Sequence, residues 1–313
     1  MDIVLLFPGQ GSQKPGMGKD LADAFPQARA AWDAVDRALD CSLSRLCFDG
    51  PAEELMLTHN LQPALLAHGA AVWAVLRESL DHTVCAAAGH SLGEFTAYYA
   101  AGSLSLEDAV RLVRRRGELM FKSGVERPGA MAAILGELRR PIETICEQAT
   151  KEAGLVVPAN YNCPGQVVIS GESTGVERAI VLLKEAGAKR TIKLNVSGAF
   201  HSPLMATSAP GLQHALDAAA FKDPDFPVYA NVDAKPVTDA TAARKRLVDQ
   251  LSSPVRWTEE ITAMAARFPG ALYVELGPGN VLGGLVKKIA PAVRTASCGT
   301  VAEVHQVQAL LAA

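Results

Sequence analysis

The sequence has no Cys-x-x-Cys pair, no long apolar run, no strong charge of either sign, no internal repeat and no low-complexity linker. Each absence narrows what the chain can be. Its six cysteines, at 41, 47, 85, 146, 163 and 298, are scattered. Cys85 and Cys146 fall in apolar segments, as buried free thiols do. This usage argues against a structural zinc and for a reducing compartment. No run approaches the ~20 apolar residues that cross a bilayer. The apolar run Ile3 to Phe7 is five residues long behind Asp2, which reads as a strand and not a signal peptide. A net charge of −3 speaks against nucleic acid as a partner, since phosphate binding needs a basic face. Arg114-Arg115-Arg116 is the only dense basic run, and it sits in a helical pattern. With 49% hydrophobic and 20% charged residues over 313 positions, the expectation is a soluble, cytoplasmic globular protein of one large domain or two ordinary ones.

What is present is an α/β alternation with one conspicuous turn. Ile3 to Phe7 reads as a buried strand running into the glycine-rich loop Pro8 to Gln13. Helical periodicity then covers Leu21 to Leu39 and Pro63 to Leu80. The small apolar run Val84 to Ala88 ends in Gly89-His90-Ser91-Leu92-Gly93, and the residues from Glu94 to Ala101 read as a helix. Strand, Gly-x-Ser-x-Gly and helix make a nucleophile elbow, a strained turn that presents a serine hydroxyl at the mouth of a sheet. The pentapeptide alone fits equally a glycine-flanked turn with an idle serine; the flanking strand and helix favour the elbow.

A serine at an elbow needs a base. His201, in Gly198-Ala199-Phe200-His201-Ser202-Pro203, is the best candidate; His59, His68, His82, His214 and His305 are weaker ones. An α/β-hydrolase places its acid between serine and histidine. Between Ser91 and His201 the only aspartate is Asp108, at the N3 position of a helix that Ser105 caps and that runs from Leu106 to about Lys122. The histidine is therefore expected to be oriented by another acceptor, such as a backbone carbonyl. On that helix Arg116 shares a stripe with Ala109, Leu112, Val113 and Met120, while Arg114 and Arg115 point elsewhere. A guanidinium on an apolar stripe must be paired. Either an internal salt bridge or a clamp for a substrate carboxylate satisfies it. Gln10, in the loop after the first strand, offers a backbone N–H toward the elbow as a second oxyanion donor. Gly277-Pro278-Gly279-Asn280 places its third glycine, Gly283, one residue late for a dinucleotide fingerprint and reads as a tight turn.

From about Pro128 to Val196 the texture changes. Strands are expected at Ala130 to Leu135, Leu155 to Asn160, Gln166 to Ser170 and Lys189 to Leu194, with helices at Pro141 to Ala153 and Val176 to Ala186. That βαββαβ order is the ferredoxin-like split unit. Afterwards the chain returns to the larger body, with strands at Val228 to Asn231 and Leu272 to Leu276 and helices at Ala242 to Leu251 and Thr258 to Arg267.

Taken in order, Phe7-Pro8-Gly9-Gln10-Gly11-Ser12-Gln13, Gly89-His90-Ser91-Leu92-Gly93-Glu94, Arg116-Gly117, Asn160 to Gln166, Ala199-Phe200-His201-Ser202 and Glu275 to Gly279 resemble the malonyl-CoA:acyl-carrier-protein transacylases over nearly the whole chain. The resemblance implies an α/β fold: a hydrolase-like large subdomain with a parallel sheet (residues 1–127 and 197–313) and an inserted ferredoxin-like small subdomain (128–196). It implies Ser91 as nucleophile, His201 as base, the backbone N–H groups of Gln10 and Leu92 as oxyanion hole, and Arg116 on the malonyl carboxylate. Gln250 matches the position whose carbonyl orients the histidine, and His90, Asn160 and Asn162 would support the pocket. Phe200 matches the malonyl-preferring form and would crowd an α-methyl branch. The implied partners are malonyl-CoA and holo acyl carrier protein, with neither metal nor other cofactor, and with a monomer as the default. Rival readings are a malonate decarboxylase malonyltransferase subunit, a free-standing polyketide acyltransferase, a serine esterase or thioesterase, and a non-catalytic binding module.

Overall fold

The strand Ile3–Phe7 (β1) is buried along its whole length, so both its faces are covered and it needs no polar alternation. In the computed structural model, which describes residues 1–80 and 83–312, it lies inside a six-stranded sheet. The other strands of that sheet are Val84–Gly89 (β2), Val228–Tyr229 (β7), Pro236–Val237 (β8), Leu272–Leu276 (β9) and Arg294–Cys298 (β10). Their order is β10-β9-β1-β2-β7-β8, with every pair parallel except β7–β8. From β1 the chain proceeds to β2 on one side and later to β9 on the other. Such a switch point opens a crevice at the carboxyl ends of the strands. The serine turn follows β2 at that edge.

A second, antiparallel sheet is built from Gly129–Leu135 (β3), Val156–Cys163 (β4), Gln166–Glu172 (β5) and Arg190–Lys193 (β6), in the order β4-β5-β3-β6. Helices Ile142–Ala153 and Ser173–Glu185 bury Ile145, Ala149, Val176 and Leu183 against its Ala132, Ile134 and Ile169. β4 runs past the expected end at Asn160 because Tyr161 and Cys163 still pair with Val167 and Gln166 of β5. Beside this pairing Tyr161 N donates to Val255 O at 2.9 Å and Val255 N to Ala159 O at 2.8 Å. Those bonds stitch the second sheet to the segment beside the first.

Several expectations are corrected. The helix expected over Leu21 to Leu39 is two, Lys19–Ala24 and Pro26–Leu39, because Phe25 is extended and Pro26 starts a new first turn, where its missing N–H costs nothing. The strand expected over Val228 to Asn231 ends at Tyr229, which frees Asn231 for other work. β10 was not expected; Arg294-Thr295-Ala296-Ser297-Cys298 lies at the sheet edge, where apolar content is low.

The helix Leu106–Glu126 starts as expected, with Ser105 Oγ accepting from Asp108 N, and it buries Ala109, Leu112, Val113, Arg116 and Met120. The chain leaving the second sheet is laid across it. Gly124 allows the close approach, since a Cβ there would sit 1.8 Å from Ser197 O. Ser123 Oγ donates to Leu204 O and Ser208 Oγ to Leu119 O, which anchors the stretch that carries His201.

Candidate active site

Ser91 has φ +54°, a left-handed conformation that an L side chain adopts only under constraint. The constraint is the packing of its flanking glycines. A Cβ on Gly89 would lie 1.9 Å from Gly93 C, and one on Gly93 would lie 2.1 Å from Phe7 O. The loop after β1 is pressed against the same turn, with His90 N donating to Phe7 O at 2.9 Å. Among the described residues neither Leu92 N nor Gln10 N donates to a protein acceptor. Leu92 is the N-cap of the helix Gly93–Ala100, where amides are free and the dipole favours negative charge.

His201, also at positive φ (+56°), places Nε2 2.8 Å from Ser91 Oγ. Its Nδ1 faces two carbonyls, Gln250 O at 2.9 Å and Ser253 O at 3.2 Å. Carbonyls only accept, so Nδ1 carries the hydrogen and Nε2 presents its lone pair to the serine hydroxyl. Burial first, then the Arg116 cation, pushes its pKa down to about 3, so the imidazole is neutral. The expected backbone acceptor is thus present at Gln250, joined by Ser253. The other candidate bases stand apart: His68 is buried against Gly299 O, His59 packs on Phe121, and His82 lies outside the described residues.

Arg116 is fully buried. Its Nη1 donates to Gln62 Oε1 at 2.8 Å, and its Nη2 to Gln250 Oε1 at 2.8 Å and Ser91 Oγ at 3.0 Å. Its Nε has no partner among the described residues. Phe95 lies beneath the guanidinium, with the ring centroid 5.7 Å away. Burial lowers its pKa to about 10, which leaves it a cation at neutral pH. Of the two alternatives, the internal salt bridge is not what is found: among the described residues Arg116 makes no ion pair, and all its acceptors are neutral. Arg115 faces solvent, whereas Arg114 is tied to Asn60 at 2.6 Å.

Four residues missed in the sequence complete the site. Asn231, in the turn after β7, accepts from Ser91 N at 2.7 Å and donates to Gly89 O at 2.8 Å, gripping the elbow on both sides. Behind it Glu94 accepts from Asn231 N, and both Glu260 oxygens face Asn231 Nδ2. Gln62 supports Arg116. The available signal was a polar residue within a buried run, as with Gln62 between Leu61 and Pro63. The remaining expected positions divide. His90 Nε2 meets Asn162 Oδ1 at 2.8 Å, Phe200 is buried beside His201, and Gln10 is exposed with its side chain in solvent. Asn160 is joined to Val255 through the backbone and makes no side-chain hydrogen bond to Ser91, His201 or Arg116.

A hydroxyl bonded to a neutral imidazole, at a helix N-terminus and beside a buried cation that makes no ion pair among the described residues, can be acylated by a substrate that carries a negative charge. A family model for the acyl transferase domain matches residues 4–308. A malonyl CoA-acyl carrier protein transacylase of Bacillus subtilis is 49% identical over 293 residues, covering 94% of this chain and 92% of that one. The chain belongs to the malonyl CoA-acyl carrier protein transacylase family. It is an acyltransferase. Solved members share its backbone: an acyl-carrier-protein-S-malonyltransferase from Bartonella henselae has a TM-score of 0.94 at 40% identity, each chain covered in full. A malonyl-transacylase solved in complex with a type II PKS acyl-carrier protein also has a TM-score of 0.94 at 40% identity, over 99% of this chain and 100% of that one. No described helix of this transacylase family member is long and apolar enough to cross a membrane.

Proposed function

We propose that this protein transfers malonyl from malonyl-CoA to the phosphopantetheine thiol of acyl carrier protein, supplying fatty-acid elongation, through a malonyl ester on Ser91. The observation that carries the reading is Arg116, buried, cationic and without a carboxylate partner, 3.0 Å from Ser91 Oγ. A buried unpaired guanidinium is costly unless a ligand supplies the anion, and a malonyl thioester carries its free carboxylate in the acyl group itself.

The steps follow from the geometry. His201 Nε2 takes the Ser91 proton as Oγ bonds to the thioester carbon. The tetrahedral oxyanion lies against the amides of Leu92 and Gln10, each donor contributing ~3 kcal/mol. The C–S bond then breaks and CoA leaves with the proton from Nε2. In the second half the carrier thiol gives its proton to Nε2 and its sulfur attacks the ester carbon. Oγ leaves and recovers the proton. Burial first, and then the Arg116 charge, hold the His201 pKa low; the arriving carboxylate neutralises the Arg116 part, so binding the substrate strengthens the base. No metal or redox cofactor enters this scheme, and every group in it comes from one chain, which suits a monomer. Phe200 narrows the acyl pocket against an α-methyl branch. The two sheets correspond to a hydrolase-like large subdomain (1–127 and 197–313) and a ferredoxin-like insertion (128–196), with the site between them. Six free cysteines suit the cytoplasm.

The transacylase name of the relatives and the carrier-bound structure support the carrier as acceptor. The test is incubation with malonyl-CoA with and without holo carrier protein, followed by intact mass. A malonyl adduct that is absent in Ser91→Ala and passes to the carrier thiol is the expected result. Rapid release of free malonate would make the protein an esterase.

A further inference from the structure

Arg116 and Glu94 are both fully buried beneath Ser91, and they do not touch. The side-chain amide of Gln250 stands between them: its Oε1 accepts from Arg116 Nη2 at 2.8 Å and its Nε2 donates to Glu94 Oε2 at 2.7 Å. Glu94 Oε2 also accepts from Asn231 N at 3.1 Å, while Glu94 Oε1 is buried with no partner among the described residues. The carboxyl therefore has spare acceptor capacity but cannot close on the guanidinium.

Resting on the reading that Arg116 takes the carboxylate of the acyl group, we propose that Glu94 is a positioning residue for Arg116, a counter-charge held one amide away that aims the guanidinium at Ser91 and opposes the incoming carboxylate. Direct contact between Glu94 and Arg116 would occupy the guanidinium and exclude substrate. With no counter-charge, the cation would be buried uncompensated. An intervening amide transmits the polarisation and leaves Arg116 Nε unpartnered among the described residues and Nη2 turned to Ser91. The acyl carboxylate then meets a cation whose charge is already partly answered, so it is held and can still be released.

The opposition depends on whether Glu94 is ionised. The charged and titratable groups facing it are Arg116 on the helix Leu106–Glu126, Asp233 after β7 (paired with Arg246 at 3.1 Å), Glu260 on the helix Trp257–Arg267, and Tyr98 on its own helix. Burial pushes the Glu94 pKa up to about 7, with Asp233 adding to the rise and Gln250, Asn231 and Arg116 opposing it. A carboxyl with a raised pKa is neutral below that value and charged above it. Repulsion of a malonyl carboxylate therefore grows as pH rises through about 7, while acetyl, having no carboxylate, is indifferent.

The experiment measures KM for malonyl-CoA and for acetyl-CoA in acylation of Ser91, at pH values from about 6 to about 8.5, in the full chain and in Glu94→Gln. For the wild type the malonyl-CoA KM rises on the order of tenfold over that range, and the acetyl-CoA KM stays level. In Glu94→Gln, which keeps the acceptor for Gln250 but never ionises, the malonyl-CoA KM stays at its low-pH value throughout. A wild-type malonyl-CoA KM that is flat, or that tracks acetyl-CoA, overturns the proposal even if the variant does not fold. So does a variant that keeps the wild-type slope. A wild type that takes no malonyl onto Ser91 at all refutes the functional reading instead.

Discussion

Replacing Arg116 with alanine separates recognition of the acyl carboxylate from the chemistry at the serine. In the wild type the guanidinium spends Nη1 on Gln62 and shares Nη2 between Gln250 and Ser91, leaving Nε unpartnered. Hydrogen bonds to a charged group contribute about 1.5–3 kcal/mol each, so a carboxylate held by two of them loses about 4 kcal/mol, or about a thousandfold in kcat/KM. For acetyl-CoA the sign differs. Arg116 is among the causes that depress the His201 pKa, so its loss makes the base stronger and acetyl transfer holds or rises. The assay is single-turnover acylation of Ser91 followed by intact mass, run with both thioesters, and repeated in Arg116→Met to limit the cavity. The expected outcome is a malonyl-to-acetyl preference that collapses by about a thousandfold in both variants. Equal losses for the two thioesters would show that Arg116 merely supports the elbow, and unchanged malonyl transfer would remove it from substrate binding altogether.

Three further outcomes are expected. Because the neutral His201 is the active form and its pKa is pushed down to about 3, acetyl-CoA acylation of Ser91 should be level from pH 8 down to about 5; a half-loss near pH 6.5 in the pH–rate profile would contradict this. Gly89→Ala should cost more than about 3 kcal/mol in a denaturant titration and abolish acylation, since its Cβ would lie 1.9 Å from the Gly93 backbone; a fully active, equally stable variant would refute the elbow argument. Phe200→Ser should raise methylmalonyl-CoA acylation relative to malonyl-CoA by about tenfold, the worth of a small steric contact, and an unchanged ratio would clear Phe200 of any part in specificity.

How much of this was legible in the sequence depended on which atoms do the work. Ile3 to Phe7 is a continuous apolar run in the sheet interior and Leu272 to Leu276 is broken only by Glu275, so composition places both. β10 is half polar and lies at an edge, so nothing in its pattern marked it. The break at Phe25 was hidden because the apolar period continues across it, although Pro26 was a usable warning. Within the site, Ser91, His201 and Arg116 carry side-chain chemistry at telling spacings and were readable. The acceptors for His201 are main-chain carbonyls, which any residue type can supply, so only the family resemblance led to Gln250. Asn231 was assigned to a strand, and its grip on Ser91 N and Gly89 O depends on a turn that local propensity does not reveal. Among the described residues the Gln10 and Leu92 amides have no protein acceptor, a freedom visible only after folding.

The central place of β1 bears on how the chain reaches its fold. The strand forms at one end of the sequence but is flanked by β2 on one side and by β9, near the other end, on the second. Until Leu272–Leu276 is available, the apolar strand Ile3–Phe7 has an open edge, and the loop it sends against the serine turn is fixed on one side alone. Such long-range parallel pairing is slow to form and exposes sticky edges while incomplete. Chains truncated before Leu272 should therefore aggregate rather than yield a stable half-protein, and the serine turn, though encoded within the first third of the sequence, should acquire its shape only once Leu272–Leu276 has paired with Ile3–Phe7.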